Sequence, residues 1–152
     1  ARAEATLWRF ALSADLFPTV THWNAPPDDS LPWLVADTRR IKRRRTDNLW
    51  LRIEDIPTAL AARHYPADGT LRFSVDSGCW ALTVQDGRGV CVASNDQPAL
   101  RLDRAGLGAL FLGDMPASWL ARAAVIEGEP TAVALADRLF RSDVAPWCPE
   151  IF

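Results

Sequence analysis

The final stretch Ala145-Pro146-Trp147-Cys148-Pro149-Glu150-Ile151-Phe152 is the part of this sequence most suggestive of chemistry. Chain ends are usually polar and frayed, yet this one carries three large apolar side chains, Trp147, Ile151 and Phe152, and two stiffening prolines. Burying those side chains is worth several kcal/mol in total, so the segment is expected to dock in a groove. A docked tail carries its α-carboxylate to a fixed place, and a carboxylate within hydrogen-bond reach of a proton can act as a general base. A tail packed only for stability has the same composition. The residues alone leave both readings open.

Other candidates read more plainly. Arg39-Arg40-Ile41-Lys42-Arg43-Arg44-Arg45 places six cations in seven residues, a pattern able to meet phosphates. No interleaved aromatics accompany it, and the chain as a whole carries a net charge of −2. A solvated linker between two domains is preferred, and nucleic acid is not expected as a partner. Neither His22 nor His64 has a cysteine, histidine or carboxylate at metal-ligand spacing, so no metal site is expected. Cys79, Cys91 and Cys148 form no C-x-x-C pair and read as reduced, mostly packed thiols. No G-x-S-x-G, H-E-x-x-H or Walker-type Gly-Lys-Ser is present.

The elements that would position the tail follow from periodicity. Leu7, Phe10, Ala11 and Ala14 mark one apolar helical face over Ala3 to Asp15, stopped by Pro18. Val20 to Trp23 reads as a short strand, Asn24 to Ser30 as a loop, and Asp29 or Ser30 as the cap of a short helix through Pro32 to Val35. This first third holds too few strands to close a core. Leu49, Leu51 and Ile53 alternate as a strand, and Asp55 caps a helix through Ile56, Leu60 and His64. Strands follow at Leu71 to Val75, Trp80 to Val84, Val90 to Val92 and Leu100 to Leu102, with Asp86-Gly87 as a hairpin turn. Three helices complete the pattern. Asp103 caps the first and Gly113 ends it; Pro116 opens the second, with Trp119, Leu120 and Ala123 inward; Thr131 caps the third, through Leu139 and Phe140.

Connections this short disfavour parallel crossovers. The expected class is α+β, a mostly antiparallel sheet of about five strands with helices on one face. With 49% hydrophobic and 24% charged residues the composition is that of a soluble globular protein. No apolar run approaches the roughly 20 residues that span a bilayer, and no signal segment is visible. A cytoplasmic protein without membrane contact is expected.

The tail, together with Leu139-Phe140-Arg141-Ser142-Asp143, resembles the C-terminus of the enhanced intracellular survival (Eis) acetyltransferases of the GNAT superfamily. The likeness continues through Asn48 to Arg63 (NLWLRIEDIPTALAAR), Leu107 to Gly113 (LGALFLG), Leu7-Trp8-Arg9-Phe10 and Asn24-Ala25-Pro26-Pro27-Asp28-Asp29, and so covers nearly the whole chain. Such proteins have a GNAT domain that binds acetyl-CoA, a second GNAT-like domain without cofactor, and a domain similar to sterol carrier proteins. The resemblance implies that residues 1–45 are the end of the second part and 46–152 the third. It also implies that the missing N-terminal GNAT domains belong to the same polypeptide. Acetyl-CoA is then the parent's cosubstrate, with no cofactor held by this chain, which alone should be inactive. The implied acceptor is a cationic amine, aminoglycosides being well known in the family. The α-carboxylate of Phe152 takes the general-base role, Glu150 attracts the substrate, and the parent forms a homo-oligomer. A different implication of the same resemblance is a lipid- or sterol-binding module, its tunnel lined by Leu71, Phe73, Val75, Trp119 and Phe140. A filled core accounts for these side chains equally well.

Overall fold

Alternation decides the sheet. In the computed structural model, which describes residues 2–47 and 49–150, Leu71, Phe73 and Val75 of strand β1 (Gly69–Val75) are buried while Thr70 and Arg72 are exposed. Leu82 and Val84 of β2 (Gly78–Gln85) follow the same rule. The turn between β2 and β3 (Arg88–Ala93) is Asp86-Gly87, with φ of 50° and 74°. Left-handed values at both central residues suit the right-handed twist of a tight hairpin. In β3 the small residues Gly89 and Cys91 face inward, whereas Val90 and Val92 are exposed. A Cβ on Gly89 would stand 2.7 Å from Tyr65 Cε2 and 3.1 Å from the Leu60 carbonyl, so only the small residues fit beneath the neighbouring helix.

The sheet order is β3-β2-β1-β4-β5, where β4 is Leu100–Leu102 and β5 Glu127–Gly128. Three of its four pairings are antiparallel, as expected, and β1 with β4 is parallel. The short loop of residues 94–99 suffices for this crossover. Ala93 pairs with Trp80, Trp80 with Phe73, and Phe73 with Leu100, so β3 ends at the level where β4 begins. The chain shifts sideways by three strand spacings, roughly 14 Å, without retracing a strand. Asp96 in this loop meets Arg72 at 3.1 Å on the exposed face.

The helices bury their apolar residues in the same core as the inward strand positions. Helix α2 (Ile56–Ala62) starts at Asp55, whose carboxylate accepts from the Thr58 hydroxyl at 2.7 Å and from Thr58 N–H at 3.1 Å; the hydroxyl bond first, then the backbone bond, holds the Asp55 carboxyl below its ordinary value. Asp103 caps α3 (Arg104–Phe111) through Gly106 N–H, and Gly113, at φ 84°, closes its end. Ala117 and Leu120 of α4 (Ala117–Arg122) point inward, but Trp119 and Ala123, expected there too, are exposed. Helix α5 (Pro130–Phe140) begins at Pro130 with Glu129 at its cap position, so Thr131 is inside the helix rather than capping it.

One expected strand is absent. Residues 49–53 take no strand pairing; Leu49 and Leu51 are exposed and only Ile53 is buried. Arg104 Nη1 instead donates to the Ile53 carbonyl at 2.6 Å, and the Leu51 carbonyl lies where a Cβ on Gly108 would be only 2.6 Å away. A side-chain donor and a glycine take the place of a strand partner. The fifth strand is β5.

These elements form one compact unit, Trp50–Pro146; the other comprises Ala1–Leu49 and Trp147–Phe152. This second unit contains helix α1 (Arg2–Ser13) and two 3₁₀ turns, Leu31–Trp33 and Thr38–Arg40. Val20 to Trp23 is not a strand. Leu7 and Phe10, the expected apolar face of α1, are 67% and 74% exposed. Among the described residues of this unit only Asp29 is buried.

Candidate functional site

The site begins with Asp29, at the end of the Asn24–Ser30 loop. Its N–H donates to the Pro26 carbonyl at 3.1 Å, closing a turn that Pro26 and Pro27 favour. Its Oδ1 accepts from Leu31 N–H at 3.0 Å and from Trp8 Nε1–H at 3.2 Å. Arg43 donates to its backbone carbonyl at 3.3 Å and brings a guanidinium nitrogen within 3.9 Å of Oδ2. Asp29 rather than Ser30 therefore performs the capping; the Ser30 hydroxyl donates to Glu4 Oε1 at 2.9 Å. The Trp8 ring leans on His22, with centroids 5.8 Å apart. Polar bonds thus brace the Asp29 end of the loop, and the Trp8–His22 ring contact lies two residues before Asn24.

Asn24 holds the tail. Its Oδ1 accepts from Trp147 Nε1–H at 3.0 Å and its Nδ2 donates to the Pro149 carbonyl at 2.9 Å. Trp147 remains 45% exposed, so two hydrogen bonds fix this stretch where apolar burial was expected to dominate. Glu150 is exposed, and its carbonyl lies 3.8 Å from Cys148 Sγ. The other expected site residue, Phe152, lies outside the described residues, as does Ile151.

The Trp50–Pro146 unit has a concavity of its own, an open cavity of about 570 Å³ beside Arg63, His64, Pro66, Phe111 and Arg141. Arg63 defines it. Its two terminal nitrogens donate to the Phe111 and Phe140 carbonyls, closing the ends of α3 and α5 with one planar fork. Both carbonyls lack helical partners, and a cation there also meets the negative ends of two helix dipoles. The guanidinium stands 5.1 Å from the Phe140 ring centroid, 5.3 Å from that of Tyr65 and 5.9 Å from that of Phe111. Burial lowers the Arg63 pKa. Burial also pushes the Tyr65 phenol up to about 12, and its hydroxyl donates to the Leu60 carbonyl at 2.7 Å. The buried Cys91 thiol is pushed up to about 11. Neither group is poised to ionise near neutral pH. His64, expected to pack along α2, is exposed beyond the helix end, bridging to Arg88.

Deeper in, Leu71, Phe73, Leu100, Leu102, Leu107, Leu110 and Phe140 close on one another. The space they bound has no room for a water-sized body. Among the described residues, no group of three or more His, Cys, Asp or Glu could hold a metal ion. No helix among them is long and apolar enough to cross a membrane.

Residues 56–149 match the sterol carrier protein domain family, and residues 1–53 match the acetyltransferase (GNAT) domain family. The chain belongs to the sterol carrier protein domain family. An uncharacterized N-acetyltransferase of Streptomyces avermitilis is 39% identical over 159 residues, covering 99% of this chain and 38% of the relative. The N-acetyltransferase Eis of Mycobacterium tuberculosis is 36% identical over 153 residues, covering 95% of the chain and 37% of that protein. Among solved structures, Eis1 from Mycobacterium abscessus superposes with a TM-score of 0.81 at 29% identity, over 96% of the chain and 39% of Eis1. The chain spans well under half the length of these relatives. The α+β fold with a five-stranded, mostly antiparallel sheet is as expected.

Sequence reasoning singled out the tail but missed Asn24 as its holder. The signal was present but ambiguous, since an asparagine before Ala-Pro-Pro reads first as a turn residue. Nothing local marks it as the partner of residues 123 and 125 positions away.

Proposed function

We propose that this chain serves as the C-terminal portion of an acetyl-CoA-dependent amine N-acetyltransferase, and that its tail completes the active site there. In this reading the α-carboxylate of Phe152 takes the proton from an acceptor ammonium, and Glu150 helps to attract that cation. The observation that carries it is the two-point hold of Asn24 on Trp147 and Pro149, in a chain similar to the N-acetyltransferase Eis. An ammonium must lose a proton before its lone pair can attack a thioester, and a carboxylate held in place can accept that proton. Polycationic amines, aminoglycosides among them, are the acceptors this arrangement suits.

The cosubstrate is assigned to the GNAT portion outside these residues. A pyrophosphate favours free N–H groups at a helix start, whereas here Asp55 fills the start of α2 and Asp103 that of α3. Ser118 N–H, at the start of α4, donates to Asp137 Oδ1 at 3.0 Å, and α5 opens on Pro130. These residues do not fit acetyl-CoA, and the chain by itself is expected to be inactive. The uncovered apolar face of α1 supports the view that residues 1–45 finish a GNAT-like domain whose remainder belongs to the same polypeptide. A cytoplasmic homo-oligomer without nucleic-acid or membrane partners is part of the proposal. The lipid-carrier alternative needs open space between sheet and helices, and the closed interior described above argues against it.

The test uses the longer enzyme. Amidating the Phe152 carboxylate by semisynthesis keeps the ring and removes the charge. Turnover should fall about 10²- to 10⁴-fold, the usual value of a general base, with acetyl-CoA affinity unchanged. Deleting Ile151 and Phe152, or extending the chain past Phe152, should lower turnover in the same way. Full activity of the amidated enzyme across pH would show the tail to be structural only.

A further inference from the structure

Asn24 uses both ends of one carboxamide on the tail, accepting from Trp147 at 3.0 Å and donating to Pro149 at 2.9 Å. An amide offers a donor and an acceptor side by side. The two partners also fix which end is which, because a flipped amide would set NH₂ against the indole N–H and oxygen against a carbonyl. Pro146 and Pro149 have no N–H to contribute, so the tail's own backbone is poor in donors just where it needs anchoring. The two bonds lie two residues apart in the tail, so one side chain holds the Trp147–Pro149 stretch at two points. Three residues follow Pro149, which bounds their reach from the anchored carbonyl to roughly 10 Å. The holder is itself held, by the His22–Trp8 ring contact on one side and the Pro26–Asp29 turn on the other.

We propose that Asn24 is the positioning residue of the tail: its amide determines where the terminal carboxylate stands against the acceptor amine. This rests on the general-base reading above and adds to it a residue near the other end of the chain. Asn24 touches neither substrate nor cosubstrate in this scheme; it acts through the tail. A reacting group displaced by about 1 Å can cost about 10²-fold in rate. Asn24→Ala and Asn24→Asp should therefore lower kcat by about that factor while leaving the KM for acetyl-CoA unchanged. Asn24→Asp keeps an acceptor for Trp147 but sets oxygen against the Pro149 carbonyl, so it separates the two bonds. Trp147→Phe removes only the indole donor and should show a smaller loss.

The experiment is a cycle in the full-length enzyme, combining each Asn24 variant with the amidated tail and recording kcat, KM and the pH profile of kcat. Positioning predicts that Asn24→Ala weakens the base-dependent limb of the pH profile, and that it costs little further once the tail is amidated. Wild-type kcat and pH profile in Asn24→Ala would overturn the proposal. So would an equal loss in the native and amidated backgrounds, which would mark a general structural role. If Asn24→Ala does not fold, Asn24→Asp and Trp147→Phe carry the same comparison. Amidation alone reports on the general base: a large loss there with no loss in the Asn24 variants removes Asn24 and keeps the base. A fully active amidated enzyme removes both.

Discussion

Within each of the two units of this chain a different force dominates. In Trp50–Pro146 the buried residues are apolar and continuous, from Ile53 through Leu60, Phe73, Leu82 and Leu107 to Leu139 and Phe140. In the other unit Leu7, Phe10, Leu16, Trp23 and Trp33 are exposed, while the one buried residue among those described is a carboxylate with an indole, a backbone amide and a guanidinium around it. Apolar burial is non-directional and supplies stability in proportion to area. Hydrogen bonds add less net energy but specify geometry. A unit that relies on polar bonds therefore gains position more than stability, as in the two bonds of Asn24 to the tail.

The comparison can be broken by removing one element of each kind. Phe73→Ala in the apolar core should destabilise the chain by about 3–5 kcal/mol in a denaturant melt, through lost transfer energy and the cavity left behind. Arg63→Lys should cost about 2 kcal/mol, since an ammonium cannot serve both helix-end carbonyls as a planar fork does. A loss below about 0.5 kcal/mol would mean that water replaces the fork.

Asp29→Ala strips two donors of their acceptor, a local cost of about 1–3 kcal/mol. Hydrogen exchange should quicken at Leu31 and the Trp8 indole, with amides of β1 and β2 unchanged. Quickening throughout β1 and β2 would refute the separation of the units. Tyr65→Phe should cost about 1 kcal/mol at neutral pH through the lost bond to Leu60. The folded phenol titrates near 12 against an ordinary 10.0, so its contribution is complete below about pH 10 and is lost as pH rises toward 12. Melts recorded across that window should show a steeper decline for the wild type than for Tyr65→Phe. The smallest effect is expected for Phe10→Ser, within about 0.5 kcal/mol in this chain, because its ring is already in solvent.

Much of the fold was legible where the cause is local. Asp55, Asp103 and Gly113 mark helix ends because each acts within three or four residues of itself. Asp86-Gly87 forms its turn for the same reason. The alternation Leu71, Phe73, Val75 encodes one buried face. Leu49, Leu51 and Ile53 carry the same alternation but meet Arg104 and Gly108 instead of a strand, so periodicity alone misled. β5 is two exposed residues long and leaves no pattern to read. Val90 and Val92 mark a strand correctly, yet only the closeness of Tyr65 and Leu60 to Gly89 explains why the valines face out.

The sequence by itself determined the class of fold, the caps at Asp55 and Asp103, the turn at Asp86-Gly87 and the buried faces of β1 and β2. Tertiary structure alone decided the rest: the parallel pairing of β1 with β4, the closing of two helix ends by Arg63, and the anchoring of the tail by Asn24. The physical reason is range. Caps, turns and alternation are set by sterics and hydrogen bonds among near neighbours in sequence, so residue types record them. Arg63 reaches Phe140 across 77 positions and Asn24 reaches Trp147 across 123, and such bonds exist only after packing has brought distant segments together.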